Sequence, residues 1–335
     1  MNKPLQIGVQ LPMWDYHVYD TVSFDFIKAM ALEAESLGFD FATVDDHLSR
    51  GREGRFFESW TTLAALAAVT TRLRFVPIVL STLYRHPAVL GKMAATLDAI
   101  SGGRLELGLG AGWKEEEAVA FGIPWAGTRE RIERLEEAVA LIKTLWTQPV
   151  ATFAGRYYSL QGAVCNPRPS QTPHPPVWIG GGGERRTLRV VARHADVAAF
   201  ASPGIGGKSE EQMSELDYFR HKRDVLHQHC RDVGRNPDEI TLSAGVNLML
   251  WGRDEQALMA RLHAQADGAM SAAERARFSS SLKGAARTVE ECSAELKAYI
   301  AEGARYVRIA RCSIGGMQMF ARDVMPEIRA YAVTA

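Results

Sequence analysis

The stretch Val177–Asp196, VWIGGGGERRTLRVVARHAD, decides how this chain reads. Val177-Trp178-Ile179 is a short apolar run of strand type, and four glycines, Gly180 to Gly183, follow it at once. Glu184-Arg185-Arg186-Thr187 then opens a stretch with Leu188, Val191, Ala192 and Ala195 at helical spacing. A strand, a glycine turn and a helix start are the parts of an anion site, because glycine lets the backbone come close and the helix N-terminus offers free N–H groups. Arg185 or Arg186 would add a bidentate contact to a phosphate. A bare tight turn has the same composition. GGGGER lacks the GxGxxG spacing of a dinucleotide fingerprint, and no Walker lysine follows, so the expected phosphate site belongs to another fold.

Outward from this stretch, strands and helices alternate. Leu5–Leu11 reads as a strand and Phe24–Leu37 as a helix stopped by Gly38. Phe41–Val44, Leu73–Val79 and Leu105–Leu109 are the next strands, with helices at Ser59–Val69, Ala88–Ile100 and Arg129–Trp146. The last of these carries Ile132, Leu135, Val139, Ile142 and Trp146 on one face. An insertion over 147–176 breaks the rhythm. Thr152–Leu160 reads as a hairpin, and Cys165–Pro176 holds five of the fourteen prolines. Val177–Ile179, Val197–Phe200, Ile240–Leu248 and Tyr306–Ala310 complete the strands, and a helix closes the chain near Phe320–Tyr331. Eight strands with intervening helices in 335 residues predict a (β/α)8 TIM barrel with insertions, in a single domain. A doubly wound sheet would have fewer strands and its phosphate loop early in the chain.

Lysine plus arginine and aspartate plus glutamate number 39 each, which gives no reason to expect nucleic acid or an anionic membrane as partner. Cys165, Cys230, Cys292 and Cys312 form no CxxC, so neither a zinc ribbon nor a redox pair is indicated. The N-terminus has no signal-type apolar core and no run approaches the ~18 apolar residues of a membrane span, so a soluble, cytoplasmic protein is expected.

In a barrel the chemistry sits at the C-terminal strand ends. That rule selects Asp45, Asp46 and His47 after strand two, Ser81, Thr82, Tyr84, Arg85 and His86 after strand three, and Gly110 to Lys114 after strand four. Asp46-His47 is the acid–base candidate, a tunable imidazole beside a carboxylate that can orient it. A histidine that only bonds a nearby backbone group would look the same. His17, His86 and His194 are isolated, and His221, His227 and His229 fall in a charged, solvated helix, so no metal site is expected. Trp113 and Trp178 are core aromatics or, for Trp113, the wall of a planar ring. Glu115-Glu116-Glu117 reads as a helix-start charge run that favours the dipole. Ala201–Glu210, within 201–216, and the stretch 266–286 are candidate lids. No GxSxG occurs.

Several segments together resemble the bacterial luciferase-like monooxygenase superfamily, and within it the coenzyme F420-dependent oxidoreductases. They are LEAESLGFDFATVDDHL (32–48), YRHPAVLGKMAATLDAISGGRLELGLGAGWKEEEAVAFGIPW (84–125), TFAGRYYSL (152–160), PPVWIGGGGERRTLRVVARHADV (175–197) and GARYVRI (303–309). The resemblance implies a (β/α)8 barrel in which Gly180, Gly181, Gly182, Gly183, Glu184 and Arg185 hold the phosphate side of a flavin or deazaflavin. Asp46 and His47 would face its ring. A non-prolyl cis peptide near Pro77, Ile78 and Val79 would press on the ring centre, and Gly110, Gly112 and Trp113 would complete the cofactor contacts. Asp-Asp-His at 45–47 looks like F420 members, which transfer hydride, whereas FMN members react with oxygen and take reduced flavin from a reductase. Sugar-phosphate dehydrogenases of the F420 branch place a glutamate where this chain has Trp113, which implies a flatter, less polar substrate such as an unsaturated ketone or nitroaromatic. The expectation is hydride transfer between F420 and a small organic substrate, with His47, held by Asp46, handling the proton. An FMN-dependent monooxygenase and a non-catalytic flavin-binding protein are the alternatives. A homodimer through the small, apolar helix Ser59–Val69 is also implied.

Overall fold

A computed structural model describes residues 3–14, 22–49, 55–201, 213–247, 249–250, 286–310 and 312–334. Both candidate lids fall mainly outside these residues. The chain divides into two compact units, one of Met1–Ala42, Ser49–Phe57 and Ala244–Ala335, the other of Thr43–Leu48 and Glu58–Ser243. The boundary runs through two strands, β2 (Phe41–Val44) and β10 (Thr241–Asn247).

In the smaller unit, β1 (Gln6–Gln10) pairs in parallel with β13 (Ala304–Ala310), Gln6 opposite Tyr306 and Val9 opposite Ile309. Gly8 sits under the Phe41 ring, where an added Cβ would lie 2.4 Å from it. Helix α1 (Phe24–Ser36) begins where Ser23 accepts the Phe26 N–H at 3.2 Å, and Gly38 follows it with φ 83°. It buries Ile27, Met30, Ala31 and Ala34, spaced three, one and three apart on one face. A capping box of Thr288 and Glu291 starts the helix Val289–Ala301. The closing helical stretch runs from Ile314 to Thr334 through a π segment at Phe320–Val324.

The larger unit holds β3 (Arg74–Pro77), β4 (Leu80–Ser81), β5 (Leu107–Gly110), β8 (Val177–Gly180) and β9 (Val197–Ala199), all parallel where paired. The strand expected at Leu73–Val79 is therefore two short strands, β3 and β4, separated by a cis peptide between Ile78 and Val79. Its first half donates from Ile78 N–H to Val44 O at 2.9 Å and bridges Phe75 to Leu105, while its second half pairs Leu80 with Leu109. The nine-stranded order β3-β2-β1-β13-β10-β9-β8-β5-β4 thus begins and ends on consecutive pieces of one barrel strand. Among the described residues these strands make a nearly closed parallel sheet, and the fold is a (β/α)8 barrel.

Two buried polar side chains of this unit, Arg104 and Asp98, are matched by partners from other segments. Arg104 donates to Ser101 O, Thr70 Oγ1, Leu73 O, Ala67 O and Thr70 O, and so satisfies the last carbonyls of α2 (Ser59–Val69). Asp98 of α3 (Pro87–Ser101) accepts the N–H groups of Ser170 and Gln171 at 2.7 and 3.1 Å, which ties the insertion to the barrel helices. The expected hairpin is β6 (Ala151–Ala154) with β7 (Ser159–Ala163). Its tip donates three backbone N–H groups, from Arg156, Tyr157 and Tyr158, to Glu137 of α5 (Thr128–Thr147). Among the described residues no helix is long and apolar enough to cross a membrane.

Replacing Arg104 by Ala strands several buried carbonyls at once. The expected loss of stability in urea unfolding is about 3 kcal/mol or more; a loss within ~0.5 kcal/mol would show that the Arg104 bonds contribute nothing net.

Candidate active site

Every candidate residue of this site belongs to the larger unit. At the end of β2, Asp46 is buried and forms a bidentate pair with Arg85, 3.0 Å in each arm, while the Ser81 N–H donates to the same carboxylate at 2.9 Å. Arg85 also bonds Glu58, whose carboxylate caps α2 by accepting the Trp60 and Thr61 N–H groups. Burial alone would lower the Arg85 pKa, but Asp46 and Glu58 outweigh it and hold the guanidinium above its ordinary value. Burial likewise opposes ionisation of Glu58 and is outweighed by its hydrogen bonds from Thr61, Trp60 and Arg85, so its carboxyl lies below the usual range.

The expectation that Asp46 holds His47 is corrected here. Neighbours on extended chain point to opposite sides, and His47 meets a different carboxylate. Its Nδ1 lies 2.7 Å from Glu117 Oε2. The Leu48 N–H donates to Glu117 Oε1. Burial, then Glu117 and Asp46, push the Tyr84 phenol well above its ordinary pKa. Glu117 sits on the short helix α4 (Glu115–Ala120), its side chain only 2% exposed, whereas Glu115 and Glu116 are exposed. A charge run of three identical residues does not say which one turns inward; helical register beside buried Ala118 is the only signal in the sequence. Trp113 stands edge-on to His47, ring centroids 5.8 Å apart, and is 59% exposed. Trp178 is core, with its Nε1 donating to Glu106 at 2.6 Å.

Where strand three breaks, Pro77 is buried but Ile78 and Val79 are half-buried. The Val79 side chain occupies room left by two neighbouring strands. An added Cβ at Gly110 would lie 2.6 Å from Val79 Cγ2, and one at Gly180 would lie 2.7 Å from Val79 Cγ1. Gly180 is the last residue of β8 and serves this packing, so the turn proper is Gly181–Gly183. Gly112 has φ 76°, and a Cβ there would press on Ser81 Oγ at 2.9 Å.

Gly181 has φ 149°, which favours glycine, and its N–H donates to Ala199 O at 3.1 Å. A Cβ at Gly181 or Gly183 would meet Thr187, and one at Gly182 would meet the Tyr218 hydroxyl, at 2.6, 2.9 and 2.4 Å. Among the described residues, the backbone N–H groups of Gly182, Gly183, Glu184 and Arg185 donate to no acceptor. Helix α6 starts at Thr187 rather than at Glu184, after a turn over residues 184–186. The Glu184 carboxylate is bonded to buried Lys222 at 2.8 Å and to His221 at 2.7 Å, and its carbonyl to His229 at 2.7 Å, all on α7 (Glu215–Asp232). Two of the three histidines expected on a solvated face thus hold the glycine turn. Arg185 and Arg186 are exposed.

Residues 10–315 match the profile of the luciferase-like monooxygenase family. The FMNH2-dependent dimethylsulfone monooxygenase of Pseudomonas putida is 30% identical over 213 residues, 63% of this chain and 57% of that protein. The F420-dependent glucose-6-phosphate dehydrogenase of Amycolatopsis mediterranei is 32% identical over 245 residues, 71% of this chain and 69% of that protein. The chain therefore spans under three-fifths of the length of the first relative. The structure of an F420-dependent secondary alcohol dehydrogenase in complex with an F420-acetone adduct overlaps this one with a TM-score of 0.76 at 18% identity, covering 97% of this chain and 99% of that one.

Gly110→Ala would drive a methyl group into Val79. Destabilisation of roughly 1–3 kcal/mol is expected in thermal or urea unfolding, largely relieved in the double variant Gly110→Ala/Val79→Ala; no relief would mean that Val79 is not what excludes a side chain at 110.

Proposed function

The chain belongs to the luciferase-like monooxygenase family, and from that premise we propose that it transfers a hydride between the reduced deazaflavin F420 and a small organic substrate. The observation that carries this reading is the glycine turn after β8. Its successive unpartnered N–H groups, with no Cβ in the way, suit a phosphate. Half-buried Ile78 and Val79 suit the face of a planar ring, so the residues present fit a phosphorylated flavin or deazaflavin. The F420 relative of Amycolatopsis mediterranei, with the wider coverage, and Asp45-Asp46-His47 support the deazaflavin.

When bound, F420 supplies the hydride chemistry. The chain's own residues would do the rest. Gly181, Gly182 and Gly183 would bind the phosphate through backbone N–H groups, with Arg185 as the nearby cation. Gly180, Glu184 and Gly110 would act by shaping the turn and seating Val79, and Asp46 by fixing the strand ends through Arg85. His47 would hold or deliver the proton that accompanies reduction of the acceptor. Trp113, exposed beside His47, suits a flat acceptor such as an unsaturated ketone or nitroaromatic. A homodimer through α2 and a cytoplasmic setting belong to the same reading.

The similarity to an FMNH2-dependent monooxygenase supports a second reading, FMN with oxygen as co-substrate and a flavin reductase as partner. Fluorescence-quenching titrations of F420 and FMN, side by side on the purified protein, separate the two. F420 binding at roughly micromolar Kd, with FMN much weaker, is expected; tighter FMN binding with oxygen consumption overturns the F420 reading. His47→Ala should keep cofactor affinity within about twofold and lower kcat by roughly 100-fold or more. Unchanged kcat would remove His47 from the reaction.

A further inference from the structure

The surroundings of Glu117 carry a role that neither its sequence context nor the family reading assigns. Its carboxylate is buried, and its two oxygens engage the Leu48 N–H and His47 Nδ1. A carboxylate only accepts, and a backbone N–H only donates, so those two roles are fixed. Imidazole nitrogen is the adaptable partner, because Nδ1 is a donor or an acceptor according to tautomer. At 2.7 Å from a carboxylate oxygen, Nδ1 has to carry the proton. Asp46 cannot substitute, since Arg85 and the Ser81 N–H engage both of its oxygens.

We propose that Glu117 is a positioning residue that sets the tautomer of His47, keeping a proton on Nδ1 so that Nε2 is the nitrogen that exchanges a proton with the substrate. The role rests on the reading of His47 given above. An orienting carboxylate of this kind acts without touching substrate, and its loss leaves the imidazole in the wrong tautomer. Glu117 also ties α4 to the end of β2 through the Leu48 N–H, so the imidazole and the backbone beside it are held by one buried carboxylate.

Glu117→Gln tests this sharply. The amide oxygen must stay on the Leu48 N–H, which cannot change its role, so the amide NH2 group is left facing Nδ1. His47 is then expected to switch to the Nε2–H tautomer. The readout is nitrogen NMR of the full-length protein labelled with 15N-histidine, at alkaline pH where imidazole is neutral, with His47→Gln assigning the signals. Wild-type protein should show Nδ1 of His47 as a protonated, pyrrole-type nitrogen, and Glu117→Gln should show it as pyridine-type with an unchanged melting temperature. A wild-type Nδ1 that is already pyridine-type overturns the proposal, and so does a Glu117→Gln spectrum with Nδ1 still protonated. The wild-type spectrum decides the point even if the variant does not fold.

Turnover supplies the second arm. Glu117→Gln should lower kcat at least tenfold with cofactor Kd and KM within about twofold, and should have no further effect on a His47→Ala background. An equal loss on that background overturns action through His47. If His47→Ala itself leaves kcat unchanged, the catalytic reading fails while the tautomer result still stands on the spectra.

Discussion

The pairing of Asp46 with Arg85 is the contact on which the arrangement of strand ends depends. A carboxylate so far out of water is tolerated only when donors surround it, and the donors here come from distant parts of the sequence. Arg85 brings the turn after β4 to the end of β2, the Ser81 N–H brings β4 itself, and the second arm of Arg85 reaches Glu58 at the start of α2. One guanidinium thereby fixes three chain segments. It also removes Asp46 from the neighbourhood of His47 and leaves that task to Glu117.

A second constraint is room. The Val79 side chain takes the space that side chains on β5 and β8 would otherwise fill, and Gly110 and Gly180 are glycines for that reason. The four-glycine run is therefore two devices joined end to end. Its first residue accommodates a neighbouring strand, and the remaining three wrap closely over Thr187 and Tyr218 with their N–H groups largely uncommitted. Close packing on the protein side and bare backbone on the other come from the same absence of Cβ.

Much of the barrel was legible in the chain. Phe41–Val44 and Ser59–Val69 fall where apolar runs and periodicity put them, α5 lies within one residue of its expected ends, and the hairpin runs three residues past its expected end at Leu160. These elements are decided locally, by side-chain period and by caps such as Ser23 and Gly102. The break in strand three was not legible from composition, because Phe75–Val79 is an unbroken apolar run; only the resemblance located it, near Pro77–Val79. Helix α6 starts at Thr187, later than the acid at Glu184 implies, because Glu184 is held by Lys222, a lysine more than thirty residues away in the sequence.

The sequence by itself determined the alternation of strands and helices, the glycine turn after the fifth barrel strand, the candidate status of His47 and, through its resemblance, the family. Only the tertiary structure decided which carboxylate serves which cation or imidazole. Asp46 and Glu117 are indistinguishable as letters from their acidic neighbours at 45, 115 and 116. Their roles depend on which donors long-range folding brings within about 3 Å of them, and a hydrogen bond across that distance leaves no mark in local periodicity.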